Sequence, residues 1–247
     1  QAQDGIPDPL WSRGLGDVYK RQGLDNEMAH IRKDVSFDKA KGGFMVADPL
    51  TLYDCCPTSD GASCVILAAD HVVKQFTDDP VWINGSAAAS DYLALHDRPS
   101  ITQLIATQNA AKKAYKMAGV AANDIDLAEV HDCFTIAELL ATEDLGFTTR
   151  GTGGKFAREG LGKRNEGDVC INPSGGLKSK GHPLGATGTG QTVEIFKQLR
   201  GEVEQSRQVR DAENALSHNV GGSGATCAVH VYGRNRNAVS YTHLRAH

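Results

Sequence analysis

Asn172–Gly190, NPSGGLKSKGHPLGATGTG, sets one histidine, His182, in a rigid backbone frame. Gly181 before it can take positive φ or pass close to a ligand. Pro183 after it disfavours the helical region and leaves His182 extended. Gly185–Gly190 then lead into Gln191–Arg200, QTVEIFKQLR, whose apolar spacing predicts a helix. A histidine on a glycine-rich turn just ahead of a helix stands where chemistry can use it. Taken alone, it is equally at home in a structural turn.

Two further stretches repeat the pattern. Around Glu129–Phe134, EVHDCF, the apolar run Ile125–Val130 predicts a strand; His131, Asp132 and Cys133 follow, then the helix-like Thr135–Leu140. A cysteine at such a turn is expected near a helix N-terminus, where the macrodipole favours thiolate. Leu216–Ala225, LSHNVGGSGA, carries His218 at the end of one apolar run and a glycine turn that feeds another, Ala225–Tyr232. Three predicted strand ends thus each carry a His or Cys, and strand ends are where open α/β sheets bind ligands.

On HDCF, NPSGGLKSKGHPLGATG and HNVGGSGA, in that order, the chain resembles the C-terminal half of a thiolase. The branch is that of sterol-carrier-protein-type and archaeal acetoacetyl-CoA thiolases; HNVGGSGA and Glu143–Phe147, EDLGF, resemble the archaeal form most. Met45–Ala69 resembles the segment that closes the first half of the fold, and the resemblance covers about residues 26–236. It implies an α/β protein with the thiolase fold, two βαβ halves layered α-β-α-β-α. This chain then carries the end of the first half (23–77) and all of the second, the C-terminal domain (78–236). Residues 1–22 and 237–247 show no hydrophobic period and resemble translated adapter sequence. They are set aside, His243 and His247 included.

A thiolase joins two acetyl-CoA into acetoacetyl-CoA and CoA, or runs the reverse thiolysis. The hard step makes a carbanion beside a thioester carbonyl, so it needs a base at that carbon and donors on the enolate oxygen. By resemblance, His182 is the catalytic histidine of the GHP motif, activating the nucleophilic cysteine and donating to the enolate oxygen. Cys133 is the acid/base at the substrate carbon. His131 stands where other thiolases carry an Asn that holds the oxyanion-hole water, and His218 stands in place of a second catalytic Cys. Gly181, Val220 and Gly221 fall on the oxyanion and coenzyme A side, with the backbone N–H near Val220 serving a second oxyanion hole.

The remaining residues read more simply. Asp132 is expected to cap the helix that follows it, and Cys227 to pack in the core. Lys178 and Lys180 either face the coenzyme A phosphates or are merely solvated. The family nucleophile is a cysteine of the N-terminal half, and Cys55, Cys56 and Cys64 do not match its motif. The chain is therefore expected to be a fragment that forms no acyl-enzyme alone. No metal is implied, and no cofactor beyond the coenzyme A thioester as substrate. The resemblance also implies a homodimer or tetramer, synthesis feeding the mevalonate route, and association with hydroxymethylglutaryl-CoA synthase and an OB-fold bridging protein.

Bulk properties fit that picture. A chain of 247 residues can bury a core in one or two domains. With 26 basic against 30 acidic residues and a net charge of −4, nothing marks a nucleic-acid surface. No apolar run approaches the ~20 residues of a membrane span, and no secretory signal pattern opens the chain, so a cytoplasmic location is expected. The six cysteines (55, 56, 64, 133, 170, 227) form no CxxC pair, which suits reduced thiols better than disulfides or a zinc site. Cys55–Cys56 reads as core packing.

Along the chain, Ala62–Ala69, ASCVILAA, predicts a strand buried on both faces. One or two helical turns at 71–76, a boundary at 78–80 and a strand at 81–88 follow. Ile101–Ala118 predicts a long helix stopped by Gly119. Then come a strand at 126–130, a helix at 135–145, a glycine-rich excursion over 146–167, a strand at 169–172, a helix at 188–199 and two closing strands. Strands alternating with helices predict a sheet layered by helices.

Three rival readings remain. Gly176–Pro183 has the GxxxxG spacing of a P-loop, but His182 and Pro183 stand where Lys and Ser/Thr are required. A degradative 3-ketoacyl-CoA thiolase would use the same residues as the synthetic enzyme. A silent, thiolase-like scaffold subunit would keep the fold without the chemistry.

Overall fold

Alanine determines how the central sheet is covered. Helix α3 (Ile105–Ala118) buries Ala106, Thr107, Ala110, Ala111, Ala114 and Ala118, a stripe of small side chains at three- and four-residue spacing. So narrow a face lets the helix lie against strand β3 (Trp82–Ser90), where a Cβ on Gly85 would collide with the Ala114 carbonyl and lie 3.2 Å from Ala118 Cβ. Gly119, at φ 69°, ends the helix in a left-handed cap whose N–H bonds to the Tyr115 carbonyl. Gly85→Ala is expected to cost about 1–3 kcal/mol by overpacking. Urea unfolding would measure it, and a change near zero would mean that α3 does not rest on β3.

The computed structural model describes residues 22–237. The adapter-like readings at 1–21 and 238–247, with His243 and His247, lie outside the described residues. At the start come α1 (Phe37–Lys41), a hairpin of β1 (Met45–Ala47) and β2 (Leu50–Thr51), and the single turn α2 (Asp70–Val73). The main sheet adds β4 (Leu127–Glu129), β5 (Cys170–Ile171), β6 (Asn214–Gly221) and β7 (Thr226–Gly233), in the spatial order β3-β7-β6-β4-β5. β4 runs parallel to β5 and β6, while β7 is antiparallel to β3 and β6.

Helices cover both faces. On one side α3, α4 (Thr135–Asp144) and α5 (Gly153–Glu159) enclose a core that includes Val130, Leu139, Phe156, Leu216, Val229 and Val231. On the other, Ile195 and Leu199 of α7 (Thr187–Arg200) pack on Leu127, Cys170, Ala215 and Tyr232. Burying each such large apolar side chain contributes about 1.5–3 kcal/mol. The short α6 (Gly176–Lys180) sits between β5 and α7 in sequence.

Several expectations change in detail. The long helix starts at 105, not 101: Ser100 and Thr102 bond to one another, and the Leu104 N–H goes to Asp144 Oδ2 at 2.7 Å. The excursion 146–167 holds α5, its first N–H bonded to Glu143 Oε1 at 2.7 Å. Ala62–Ala69 forms no strand. It finds no ladder partner among the described residues, and Ile66 and Leu67 stand 92% and 73% exposed. Cys227 is buried as expected, whereas Cys55 and Cys56 are half-exposed rather than core.

Candidate active site

Because β4 and β5 are parallel neighbours, the turns leaving their C-terminal ends emerge side by side. One turn carries His131, Asp132 and Cys133; the other begins at Asn172 and runs through α6 to His182. Five hydrogen bonds join them. The Val130 N–H donates to Asn172 Oδ1 at 2.8 Å. Glu129, fully buried, accepts from the Ser174 N–H at 3.0 Å and from its hydroxyl at 2.8 Å. Asp132, also fully buried, accepts from the Leu177 N–H at 2.7 Å and the Lys178 N–H at 3.4 Å. Asp132 therefore caps α6 and not the helix that follows it; Phe134 holds the N-cap of α4 without a side-chain bond.

This frame brings the His182 and His131 rings into edge-to-face contact, 4.9 Å between centroids and 87° between planes. Gly181 holds φ 110°, a conformation open to glycine, and a Cβ there would strike Ser59. The Ser59 hydroxyl receives the His182 N–H at 3.3 Å. On the ring, Nδ1 lies 2.7 Å from Thr187 Oγ1, and that hydroxyl donates to the Pro183 carbonyl at 3.1 Å. Since the hydroxyl proton is spent, Nδ1 carries the hydrogen and Nε2 keeps its lone pair. Burial lowers the His182 pKa, keeping the ring neutral. Thr187→Val should free the ring to populate both tautomers, visible in imidazole 15N shifts; one retained Nδ1–H tautomer would show that another group fixes it.

His131 is 7% exposed, and burial with the neighbouring His182 lowers its pKa to about 4. Its Nδ1 has no hydrogen-bond partner among the described residues. His218 is different. It lies within β6 rather than at its end, on the same face as Leu216 and therefore toward α3. Nε2 meets Thr107 Oγ1 at 2.9 Å, Nδ1 receives the His131 backbone N–H at 3.4 Å, and no part of it is exposed. Burial, with His131 beside it, lowers its pKa to about 3. The expectation of a catalytic imidazole at this position meets a ring with both nitrogens engaged inside the core. Val220 and Gly221 pair with Cys227 and Thr226 at the hairpin end, and the preceding Asn219 donates to Gln191 Oε1 of α7 at 3.3 Å.

Cys133 corrects an expectation. It is half-buried and its pKa is pushed up to about 11, first by burial and then by the charges of Asp132 and Cys56. Desolvation outweighs the nearby helix end. At neutral pH it rests as a thiol. Cys56 lies beside it, its N–H bonded to the Cys133 carbonyl at 2.9 Å.

Neither lysine is a solvated surface charge. Lys178 is 1% exposed; its ammonium bonds to the Tyr53 carbonyl and lies among the carboxyls of Asp132, Asp54 and Glu138. The Lys180 ammonium is 3.6 Å from Glu129 Oε2 and lines a cavity of about 720 Å³ together with Ser59, Gly181, Thr187 and Arg207. Sequence reasoning missed Thr187, Ser59 and Glu129. The position of Thr187 five residues past His182, at a helix start, was a usable signal; nothing local marks Ser59.

The family profile described as thiolase C-terminal domain-like matches residues 87–234. The chain belongs to the thiolase family. An acetyl-CoA acetyltransferase of Methanothermobacter thermautotrophicus is 50% identical over 210 residues, 85% of this thiolase chain and 54% of that protein. Sterol carrier protein 2 of Oryctolagus cuniculus is 40% identical over 216 residues, 85% of this chain and 39% of that one. Among solved structures, the Ltp2-ChsH2(DUF35) aldolase superposes with a TM-score of 0.80 at 22% identity, covering 92% of this chain and 59% of that chain, a likeness of fold. This thiolase chain spans about half the length of the first curated relative. No helix among its described residues is long and apolar enough to cross a membrane.

Proposed function

We propose that this chain supplies one half of an acyltransferase that condenses two acetyl-CoA into acetoacetyl-CoA and CoA, reversibly. The observation that carries the reading is the His182–His131 edge contact at 4.9 Å, held on turns bolted together by Glu129 and Asp132. The nucleophilic cysteine comes from the other half of the enzyme. His182 Nε2, with its lone pair free, takes the nucleophile's proton, and the thiolate attacks acetyl-CoA. Cys133, resting as a thiol, protonates the departing CoA sulfur and is left as the thiolate base. It then removes a proton from the methyl of the second acetyl-CoA. The enolate carbon attacks the acetyl-enzyme, the carbon–carbon bond forms, and the nucleophile leaves as thiolate.

His131 Nδ1 is suited to hold a water or the substrate oxygen during enolate formation, and His218 supports it from behind. The backbone near Val220 and Gly221 serves the second oxyanion hole. Gly181 lets the substrate approach the turn. The coenzyme A thioester is the substrate, and no further cofactor enters. A homo-oligomer associated with a hydroxymethylglutaryl-CoA synthase and an OB-fold protein is the matching assembly. The enzyme of which this chain is part should release free CoA thiol and acetoacetyl-CoA from acetyl-CoA alone. An assay showing turnover only with longer 3-ketoacyl-CoA would instead favour the degradative reading.

A further inference from the structure

Asp132 stands between two site residues, His131 and Cys133, and the chemistry above gives it no task. Its geometry is the most constrained in the turn. Both carboxylate oxygens face backbone N–H groups of α6, at 2.7 and 3.4 Å, and that helix ends one residue before Gly181–His182. The approach depends on Gly176, at φ 63°, where a Cβ would lie 2.8 Å from the Asp132 Cγ. Around the carboxylate are the Lys178 ammonium, which Asp54 and Glu138 also influence, and the Cys56 and Cys133 thiols. Burial lifts the Asp132 pKa to about 6, the N–H bonds and Lys178 opposing, so the group is ionised at neutral pH.

We propose that Asp132 is a positioning residue: its carboxylate fastens the turn of Cys133 to the helix that leads to His182, and its charge adds to burial in favouring the thiol form of Cys133. The proposal rests on the reading of Cys133 and His182 as the site. A like charge beside a thiol disfavours thiolate, so one carboxylate sets the spacing of the two groups and reinforces the proton that burial already favours on Cys133. Removing the charge without the shape separates the two effects. Asp132→Asn keeps an acceptor for the Leu177 N–H, whereas Asp132→Ala removes it.

The test uses the intact chain, alkylated with iodoacetamide between pH 7 and 11 and read peptide by peptide in a mass spectrometer. In Asp132→Asn, Cys133 should alkylate roughly tenfold faster at pH 8, the gain in thiolate from losing one neighbouring like charge. Cys170 and Cys227, buried elsewhere, should keep their wild-type rates. The His182 imidazole NMR signals should stay in place in Asp132→Asn and move in Asp132→Ala. An unchanged Cys133 profile in Asp132→Asn overturns the electrostatic role, and His182 signals that move equally in both variants overturn the clamp. If Asp132→Ala fails to fold, Gly176→Ala tests the clamp with the charge retained and should move the same His182 signals; unmoved signals there overturn it. None of these readouts needs acetyl-CoA to react, so failure here leaves the proposed reaction standing, and absence of that reaction leaves this assignment measurable.

Discussion

His182→Ala should abolish nearly all acetyl-CoA condensation by the complete enzyme. One lost oxyanion donor alone costs about 10²–10³ in rate, and this ring is also assigned the nucleophile's proton. Its Nδ1 is tied to Thr187 and its backbone N–H to Ser59, so the imidazole is held in place before substrate arrives. Truncation removes both functions while leaving the glycine frame intact. Turnover above roughly a tenth of wild type in a coupled assay for CoA release would remove His182 from the mechanism, given the magnitude expected for a single donor.

Cys133→Ser should fail differently. A serine hydroxyl is far less acidic than a thiol and cannot cycle as a base near neutral pH. The nucleophile would still meet His182, and the CoA sulfur can leave as a thiolate without a proton from residue 133, so the variant should collect acetyl-enzyme and stop before carbon–carbon bond formation. Intact-mass measurement after mixing with acetyl-CoA should show the acetyl adduct persisting. Absence of any adduct, with one present in wild type, would show that the proton Cys133 gives the departing CoA is required for acylation.

Much of this candidate site was legible in the sequence. GHP and HDCF each announce a strand or loop, a turn and a helix, and local rules locate His182, His131 and Cys133 because the information lies within a few residues. What escaped was non-local. That Asp132 caps α6 rather than α4 depends on β4 and β5 being neighbours, a pairing of residues 43 apart that brings Asp132 to Leu177. The thiol of Cys133 reads as activated from its helix end and is the opposite once burial and Asp132 are counted. Ala62–Ala69 has the composition of a buried strand, yet composition does not supply a partner. His218 was placed at a strand end although its even spacing from Leu216 already assigns it to the core-facing side.

That last spacing has a wider meaning. β6 and β7 face each other over eight residue pairs, with His218 opposite Val229. Strands alternate faces at every residue, so a slip of one position would turn His218 toward α7 and bring Ser217 or Asn219 against Thr107. The Gly222–Ala225 turn acts as the gauge that fixes this alignment. Gly222 and Gly224 both hold positive φ there, as does Ser223 at 54°. Deleting one residue from that turn would thus disarm His131's support without changing a single catalytic side chain, making loop length, as much as side-chain identity, a heritable determinant of the chemistry.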